Sequence, residues 1–203
     1  MIAVLDYGIG NIMSIANMLK KGNADAVVTF DEAVIDKCDK IILPGIGNFD
    51  YCMQQLKRAP FYDLLLKKVL IEKTPVLGVC VGCQMLMETS EEGGAVGLGW
   101  IEGTVIKFNK EKLPATFKVP HMDWTDIEPR PECKLYKNIE EPRFYFVHSY
   151  HLKCDNDFIT ATANYGYTFA ASVAKENIMG VQFHPEKSHK FGMQLYSNFV
   201  NNY

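Results

Sequence analysis

Short apolar segments alternate with helical patterns through the first eighty residues. Ile12, Ile15 and Leu19 recur at helical spacing, with Asn11 as a candidate N-cap and Gly22 as the residue that ends the helix. An order of strand, helix and strand favours a parallel sheet, because parallel neighbours need a crossover connection. The predicted strands are residues 2–5, 26–28, 41–43 and 76–79, and two further helices are predicted at residues 52–57 and 62–70.

The pattern changes to β-rich segments after about residue 100. Turn-forming residues at 164–166 and 175–177 predict hairpins. We predict strands at residues 104–108, 143–148, 158–163, 168–173 and 178–183, and a closing helix at residues 193–200. The predicted fold is therefore α/β, with an open, mostly parallel central sheet, helices on both faces and antiparallel β additions in the C-terminal half.

Composition restricts the class of protein. The chain has 203 residues, 48% hydrophobic and 22% charged, which predicts one globular domain over residues 1–203. A formal charge of -3 without a block of Lys or Arg argues against nucleic acid or a membrane surface as a partner. The N-terminus lacks the pattern of a secretory signal, and no apolar run reaches membrane-spanning length. Six cysteines without a disulfide framework are expected as reduced thiols in the cytoplasm.

Cys80 stands between two glycines, in Gly78-Val79-Cys80-Val81-Gly82, after an apolar strand and before a helical pattern. This arrangement is typical of a nucleophile elbow, with cysteine in the place of serine. Glycines permit the close packing that such a strained turn requires. The start of the following helix would favour a thiolate, and the Val81 N–H group would face a developing oxyanion.

Other interpretations of Cys80 stay open at this point. A free cysteine is often an inert buried residue. Cys80 and Cys83 also form a C-x-x-C pair, which suits thiol redox chemistry. A metal site of this kind needs a second ligand pair, and no other C-x-x-C occurs, so no metal is expected.

A second candidate segment is His184-Pro185-Glu186, which follows a β-like run near the C-terminus. Pro185 favours an extended backbone at His184, and residues two apart in an extended chain project from the same side. His184 would then transfer protons while Glu186 fixes its tautomer and stabilises its charge. An ordinary surface pair at a strand end is the alternative. The chain order Cys, His, Glu differs from that of α/β-hydrolases and implies another sheet architecture.

Two glycine-containing loops follow predicted strands. Pro44-Gly45-Ile46-Gly47 would let backbone N–H groups approach a ligand, which makes Gly47 a candidate second oxyanion donor; an ordinary tight turn is the alternative. The loop DYGIGN, residues 6–11, is reminiscent of a dinucleotide-binding turn. However, Met13 stands where the third glycine is needed for close helix packing, so nucleotide binding is disfavoured.

Three motifs, GVCVGCQ, HPEKS and PGIGNF, together resemble the class I glutamine amidotransferases, and the similarity extends from DYGIGN to the last helix. The segments KVPHMDW, FYFVHSYH and SEEGGAVGLGW are similar to those of glutaminase subunits of imidazole glycerol phosphate synthases, which serve histidine biosynthesis. The resemblance implies that L-glutamine is hydrolysed to glutamate and ammonia without a cofactor. Cys80 would form a thioester, and His184, oriented by Glu186, would protonate the ammonia and then activate water.

The resemblance also implies a substrate site and a partner. The ammonia would pass to a (β/α)8-barrel cyclase that forms a heterodimer with the glutaminase and makes imidazole glycerol phosphate and an aminoimidazole carboxamide ribotide. His121, His148 and His151 are expected to lie outside the catalytic core. Glutamine would be bound by Gly45, Gly47, Gln84, Ser149 and Tyr150, and the residues that match the docking face are Asn11, Met122, Trp124, Tyr145 and Lys187.

One residue departs from the family pattern. Members usually read P-H-M-G-W, whereas Asp123 precedes Trp124 in this chain. A missing glycine and an added charge in the docking segment affect the choice of partner. A related glutaminase that feeds a different acceptor synthase is therefore the nearest alternative. The alternative of another class is a non-catalytic binding or thiol redox-sensing protein built on the same elbow.

Overall fold

A twelve-stranded sheet organises the computed structural model, which describes residues 1–203. Six α-helices accompany it: α1 (Ile12–Lys21), α2 (Glu32–Ile35), α3 (Phe49–Arg58), α4 (Tyr62–Leu66), which a π-helical turn (Lys67–Ile71) continues, α5 (Val81–Gln84) and α6 (His189–Asn202). The strands are β1 (Ile2–Leu5), β2 (Ala26–Thr29), β3 (Lys40–Gly45), β4 (Val76–Cys80), β5 (Thr89–Ser90), β6 (Gly103–Lys107), β7 (His121–Pro129), β8 (Arg143–His148), β9 (Tyr150–Cys154), β10 (Ile159–Tyr165), β11 (Tyr167–Lys175) and β12 (Ile178–Val181).

The sheet has a parallel half and an antiparallel half. Strands β2, β1, β3, β4 and β12 lie side by side in this order, and each neighbouring pair is parallel. Beyond β12 the order continues as β11, β10, β7 and β8 with antiparallel pairing, while β9 joins β11 to β6. The predicted α/β fold, with a mostly parallel sheet and antiparallel C-terminal additions, is confirmed.

The main differences from the predicted elements have local causes. Asn11 precedes α1, but its side chain caps nothing, and only its carbonyl group accepts a hydrogen bond, from the N–H of Ile15. The predicted side-chain cap is therefore wrong, whereas Gly22 does end the helix.

The sequence pattern predicts neither β7 nor β9, because the buried positions of these strands include His121 and His151, which interrupt the apolar alternation.

The turn from β4 into α5 packs backbone directly against backbone. A Cβ atom added to Gly82 would lie 2.1 Å from the carbonyl oxygen of Leu43, and one added to Gly45 would lie 2.2 Å from the nitrogen of Gly82. A Cβ atom on Gly78 would lie 2.6 Å from the oxygen of Gly82. Because both members of each contact are backbone, no side-chain adjustment relieves them. These glycines set the distance between β3, β4 and α5.

Substitution of Gly82 by alanine should therefore destabilise the fold. We expect Gly82→Ala to lower the free energy of unfolding by about 3 kcal/mol or more, since an added methyl group forces backbone shifts. Gly94→Ala is the matched control, because an added Cβ there meets nothing within 4 Å. The control should change stability by less than about 1 kcal/mol in urea unfolding. Equal stability of the two variants would contradict the packing argument.

Buried histidines occupy the core of the antiparallel half. His121 in β7 pairs with His148 in β8, and the rings of Phe108 and Phe169 pack against both of them and against His151. Burial lowers the pKa of His121 to about 4 and that of His148 to about 3. Both rings are therefore neutral at pH 7, as their apolar surroundings require.

Acid should weaken the fold through these histidines. A histidine with an ordinary pKa near 6.5 in the unfolded chain and a pKa of about 4 in the folded chain binds more protons when unfolded. Its stabilising contribution is complete above pH 6.5 and is lost as the pH falls from 6.5 to about 4. In this window His121→Asn should reduce the slope of the unfolding free energy against pH by up to about 1.4 kcal/mol per pH unit. Urea unfolding at a series of pH values tests this; identical slopes would contradict it.

Candidate active site

Cys80 ends β4 and turns into α5 with a strained backbone. Its φ and ψ angles are 56° and -114°, a region that residues with a Cβ atom rarely adopt. The elbow geometry predicted from the sequence is present. The following helix is a single turn, Val81–Gln84, so its dipole is smaller than the sequence pattern suggests. As the first residue of this turn, Val81 has no intrahelical partner for its N–H group.

His184 and Glu186 form a buried pair beside the elbow. The Nδ1 atom of His184 lies 2.8 Å from Oε1 of Glu186, and both side chains are almost fully inaccessible. The predicted pairing is confirmed, and the backbone of His184 is extended as predicted, but the two-residue period of a strand does not continue to Glu186. β12 ends at Val181, and Pro185 begins a short 3-10 turn that folds Glu186 back towards the imidazole. The turn, and not the two-residue period of a strand, brings the carboxylate to the ring.

Two opposing effects act on the charge of His184. Burial disfavours the imidazolium form, but the negative charges of Cys80 and Glu186 outweigh burial and raise the pKa of His184 to about 10. At neutral pH the ring therefore carries a proton that it can give to a leaving group. This places a protonated ring beside the sulfur of Cys80.

A closed set of hydrogen bonds fastens His184 to strand β8. The backbone N–H of His184 donates to the carbonyl oxygen of Tyr145 at 2.9 Å, and the N–H of Tyr145 donates to Oγ of Ser188 at 3.0 Å. The Ser188 hydroxyl in turn donates to the carbonyl oxygen of His184 at 2.6 Å. Ser188 is completely buried. The backbone of His184 is thus held by an element that lies outside the parallel half.

A cavity of about 350 Å³ has Cys80 and His184 in its wall. Gly45 does not reach the cavity, because it packs in β3 against the backbone of Gly82. Glu186 does not reach it either, because it contacts the far nitrogen of the His184 ring. Of the residues predicted for chemistry or substrate binding, those in the wall are Gly47, Cys80, Val81, Gln84, Ser149, Tyr150 and His184.

Gln84 is held from two sides in this wall. Its Nε2 atom donates to the carbonyl oxygen of Tyr150 at 3.2 Å and to Oε1 of Gln182 at 3.0 Å. The side chain is only 3% exposed. The helix that follows the elbow is therefore joined directly to Tyr150 in the cavity wall.

Some wall residues gave no signal in the sequence. Glu92 is the clearest case: its Oε2 atom accepts a hydrogen bond from the N–H of Phe49 at 2.9 Å, and burial raises its pKa. Asp50 accepts hydrogen bonds from the N–H groups of Gly94 and Ala95, which fastens this loop to the start of α3. From sequence alone, a glutamate of a glycine-rich loop that lines a cavity cannot be distinguished from one that is exposed to solvent. The other unpredicted wall residues are Ile46, Pro120, Val147 and His148.

Most of the residues predicted for the partner interface cluster beside the cavity. The Trp124 ring stacks on His189 at a centroid distance of 5.5 Å and meets the edge of Tyr145 at 6.2 Å. The Nζ atom of Lys187, which also lines the cavity, lies 5.7 Å from the centre of the Tyr145 ring. Met122, two residues before Trp124 in β7, is 58% exposed. Asn11 lies apart from this cluster, at the start of α1, which packs against the turn that contains Lys187.

Cys83 is a core residue. Its side chain is fully buried, and its sulfur packs so closely on β12 that a Cβ atom added to Gly180 would lie 2.5 Å from it. Burial raises the pKa of the Cys83 thiol well above its usual range. A thiol in this environment is a poor partner for redox exchange with Cys80.

The structure contains no cluster of three or more side chains suited to hold a metal ion, and all six cysteines are free. None of its helices combines the length and the apolar character needed to cross a membrane.

Comparison with known proteins identifies the family. The model of the family described as glutamine amidotransferase class-I matches residues 3–202. Two proteins named imidazole glycerol phosphate synthase subunit HisH 2, from Methanococcus maripaludis and Pseudomonas aeruginosa, are 50% and 48% identical over 202 residues, which is 98% of this chain and of each of those proteins. The fold matches a crystal structure of glutamine amidotransferase with a TM-score of 0.72, at 16% identity, over 98% of this chain and 96% of that one. The chain therefore belongs to the class-I glutamine amidotransferase family.

Proposed function

We propose that the chain hydrolyses L-glutamine through a Cys80-His184-Glu186 triad and delivers the ammonia to a cyclase subunit of imidazole glycerol phosphate synthase. Family membership makes the chain a glutamine amidotransferase. The observation that supports the residue assignment is that the strained Cys80 lines the same cavity as His184, whose ring is hydrogen-bonded to the buried Glu186. We assign the function to one domain of residues 1–203, which acts in the cytoplasm.

In the first half-reaction the Cys80 thiolate attacks the side-chain amide carbon of glutamine. The carbonyl oxygen becomes an oxyanion, which accepts hydrogen bonds from the N–H groups of Val81 and Gly47. Collapse of this intermediate breaks the carbon–nitrogen bond. His184 gives its proton to the departing nitrogen, so ammonia leaves and a thioester on Cys80 remains.

In the second half-reaction the neutral His184 removes a proton from water, and the resulting hydroxide attacks the thioester carbon. Glutamate leaves, and the thiolate and the imidazolium are restored. Glu186 stabilises each charged state of His184 and keeps Nδ1 as the donor to its own carboxylate. No cofactor is needed, because the thiol and the imidazole supply the nucleophile and the proton transfer.

The polar groups of the wall match the other end of glutamine. Glu92 is the only carboxylate in the wall and suits the α-ammonium group. Gln84, Ser149 and Tyr150 supply neutral hydrogen-bonding groups for the rest of the amino acid, and Ile46 and Gly47 also line the cavity.

The cluster of exposed Met122 and Lys187 with half-buried Trp124 and Tyr145 is the proposed docking face for a (β/α)8-barrel cyclase in a heterodimer, and Asn11 is proposed to contribute from the start of α1, apart from this cluster. Aromatic residues and Met are enriched at the centres of protein interfaces. A different acceptor synthase is the second candidate partner. Asp123 supports it, because this residue adds an exposed carboxylate between Met122 and Trp124, and a charge at an interface selects among partners.

Glutamate release from glutamine tests the proposal directly. The purified chain should turn over slowly alone and faster with the cyclase from the same organism and its ribonucleotide. Cys80→Ala should reduce turnover at least about 1000-fold, since the covalent step is lost. Cys154→Ala, which removes a thiol that does not line the cavity, is the control and should retain activity.

Activity that survives in Cys80→Ala would refute the triad. Activity that needs Cys80 but ignores the cyclase would keep the triad and indicate the other acceptor.

Glu92 should control the affinity for glutamine. We expect Glu92→Gln to raise the KM for glutamine about 10- to 100-fold with a smaller effect on kcat, because a charged hydrogen bond to the ammonium group is lost. Burial raises the pKa of Glu92, so the wild-type KM should also rise as the pH falls and Glu92 becomes neutral, and this rise should be absent in the variant. Glu91→Gln is the matched control, because Glu91 accepts from the Lys107 N–H and does not line the cavity. Equal KM values in the two variants would exclude the assigned role.

A further inference from the structure

A chain of hydrogen bonds runs from the core of the antiparallel half to the cavity wall. Oγ1 of Thr125 lies 2.9 Å from Nε2 of His121, and Nδ1 of His121 lies 3.1 Å from Nε2 of His148. Nδ1 of His148 lies 2.7 Å from the carbonyl oxygen of Tyr150. Both His148 and Tyr150 line the cavity, whereas His121 is completely buried.

The last member of this chain fixes the direction of every hydrogen bond in it. A carbonyl oxygen only accepts, so Nδ1 of His148 carries the hydrogen. In the neutral ring Nε2 must then accept, which makes Nδ1 of His121 the donor. Nε2 of His121 in turn accepts from the hydroxyl group of Thr125. Burial keeps both rings neutral, with pKa values of about 4 for His121 and about 3 for His148.

The carbonyl group of Tyr150 receives two donors, Nδ1 of His148 and Nε2 of Gln84. Its position is therefore linked to the side chain of Gln84, which forms the neighbouring part of the wall. The two histidines are also held firmly by their neighbours. The His121 ring stacks between Phe146 and Tyr165, at centroid distances of 5.2 and 4.0 Å.

We infer that His121 and His148 are positioning residues of the glutaminase, which act through the Tyr150 carbonyl group and Gln84 to shape the part of the cavity that binds glutamine. The inference rests on the proposed function, because it takes glutamine as the ligand of this cavity. The two histidines take no part in bond breaking. Their loss should therefore raise KM and leave kcat largely unchanged.

Paired variants of His148 test the inference. An asparagine places its side-chain N–H close to the position of Nδ1 and keeps the donor to Tyr150, whereas a glutamine places its N–H near the position of Nε2. We expect His148→Gln to raise the KM for glutamine about tenfold, as expected for one lost buried hydrogen bond, and His148→Asn to stay within about threefold of the wild type. The kinetics are measured on the chain with its cyclase.

A purely structural role would give a different result. Both variants would then lose active protein, so the apparent kcat would fall in both while KM stayed constant. Equal KM values for His148→Gln and His148→Asn would overturn the inference.

Nitrogen NMR of the histidine-labelled wild-type chain provides a test that needs neither a variant nor turnover. At neutral pH the ring nitrogens of His148 and of His121 should each show a protonated Nδ1 and an unprotonated Nε2. A protonated Nε2 on His148 would break the chain and overturn the inference. Failure of the proposed function is distinguishable, because it would appear as a wild-type chain without glutaminase activity.

Discussion

The parallel pairing of β4 with β12 is the constraint on which the site depends. These strands are about a hundred residues apart in sequence, and their register sets Val79 opposite Val181. Cys80 is the last residue of β4, and His184 follows three residues after the end of β12. Both therefore emerge at the carboxyl edge of the sheet, where open α/β sheets bind their ligands. On its other side β12 pairs antiparallel with β11, which joins the parallel half to the antiparallel half.

Each half contributes a different part of the proposed catalytic arrangement. The parallel half provides a backbone so tightly packed at Gly45, Gly78 and Gly82 that the turn at Cys80 keeps its strained conformation. The antiparallel half supplies the opposite wall and fastens His184 through Tyr145 and Ser188.

Neighbouring charges decide the protonation of the buried histidines. His121, His148 and His184 are all buried, and burial alone disfavours the imidazolium form in each. Only the pKa of His184 is raised, because its interactions with Cys80 and Glu186 outweigh burial. A charged His184 further disfavours charge on His148 after the larger effect of burial. The chain thus keeps a proton donor and a set of neutral hydrogen-bonding rings within one region.

The sequence by itself determined the α/β class, the elbow at Cys80 and the pairing of His184 with Glu186, because these depend on periodicity and on residues that are close along the chain. It did not reveal Glu92 or the role of His148 in the wall, because nothing near them in sequence shows which side chains face the cavity. It also gave the wrong local geometry at Glu186 and a side-chain cap at Asn11 that does not form. Contacts between distant segments, such as His121 with His148 and Gln84 with Tyr150, arise only from strand register and packing. Only the tertiary structure fixes these contacts, because the pairing of strands, and not the adjacent residues in the sequence, determines which side chains meet.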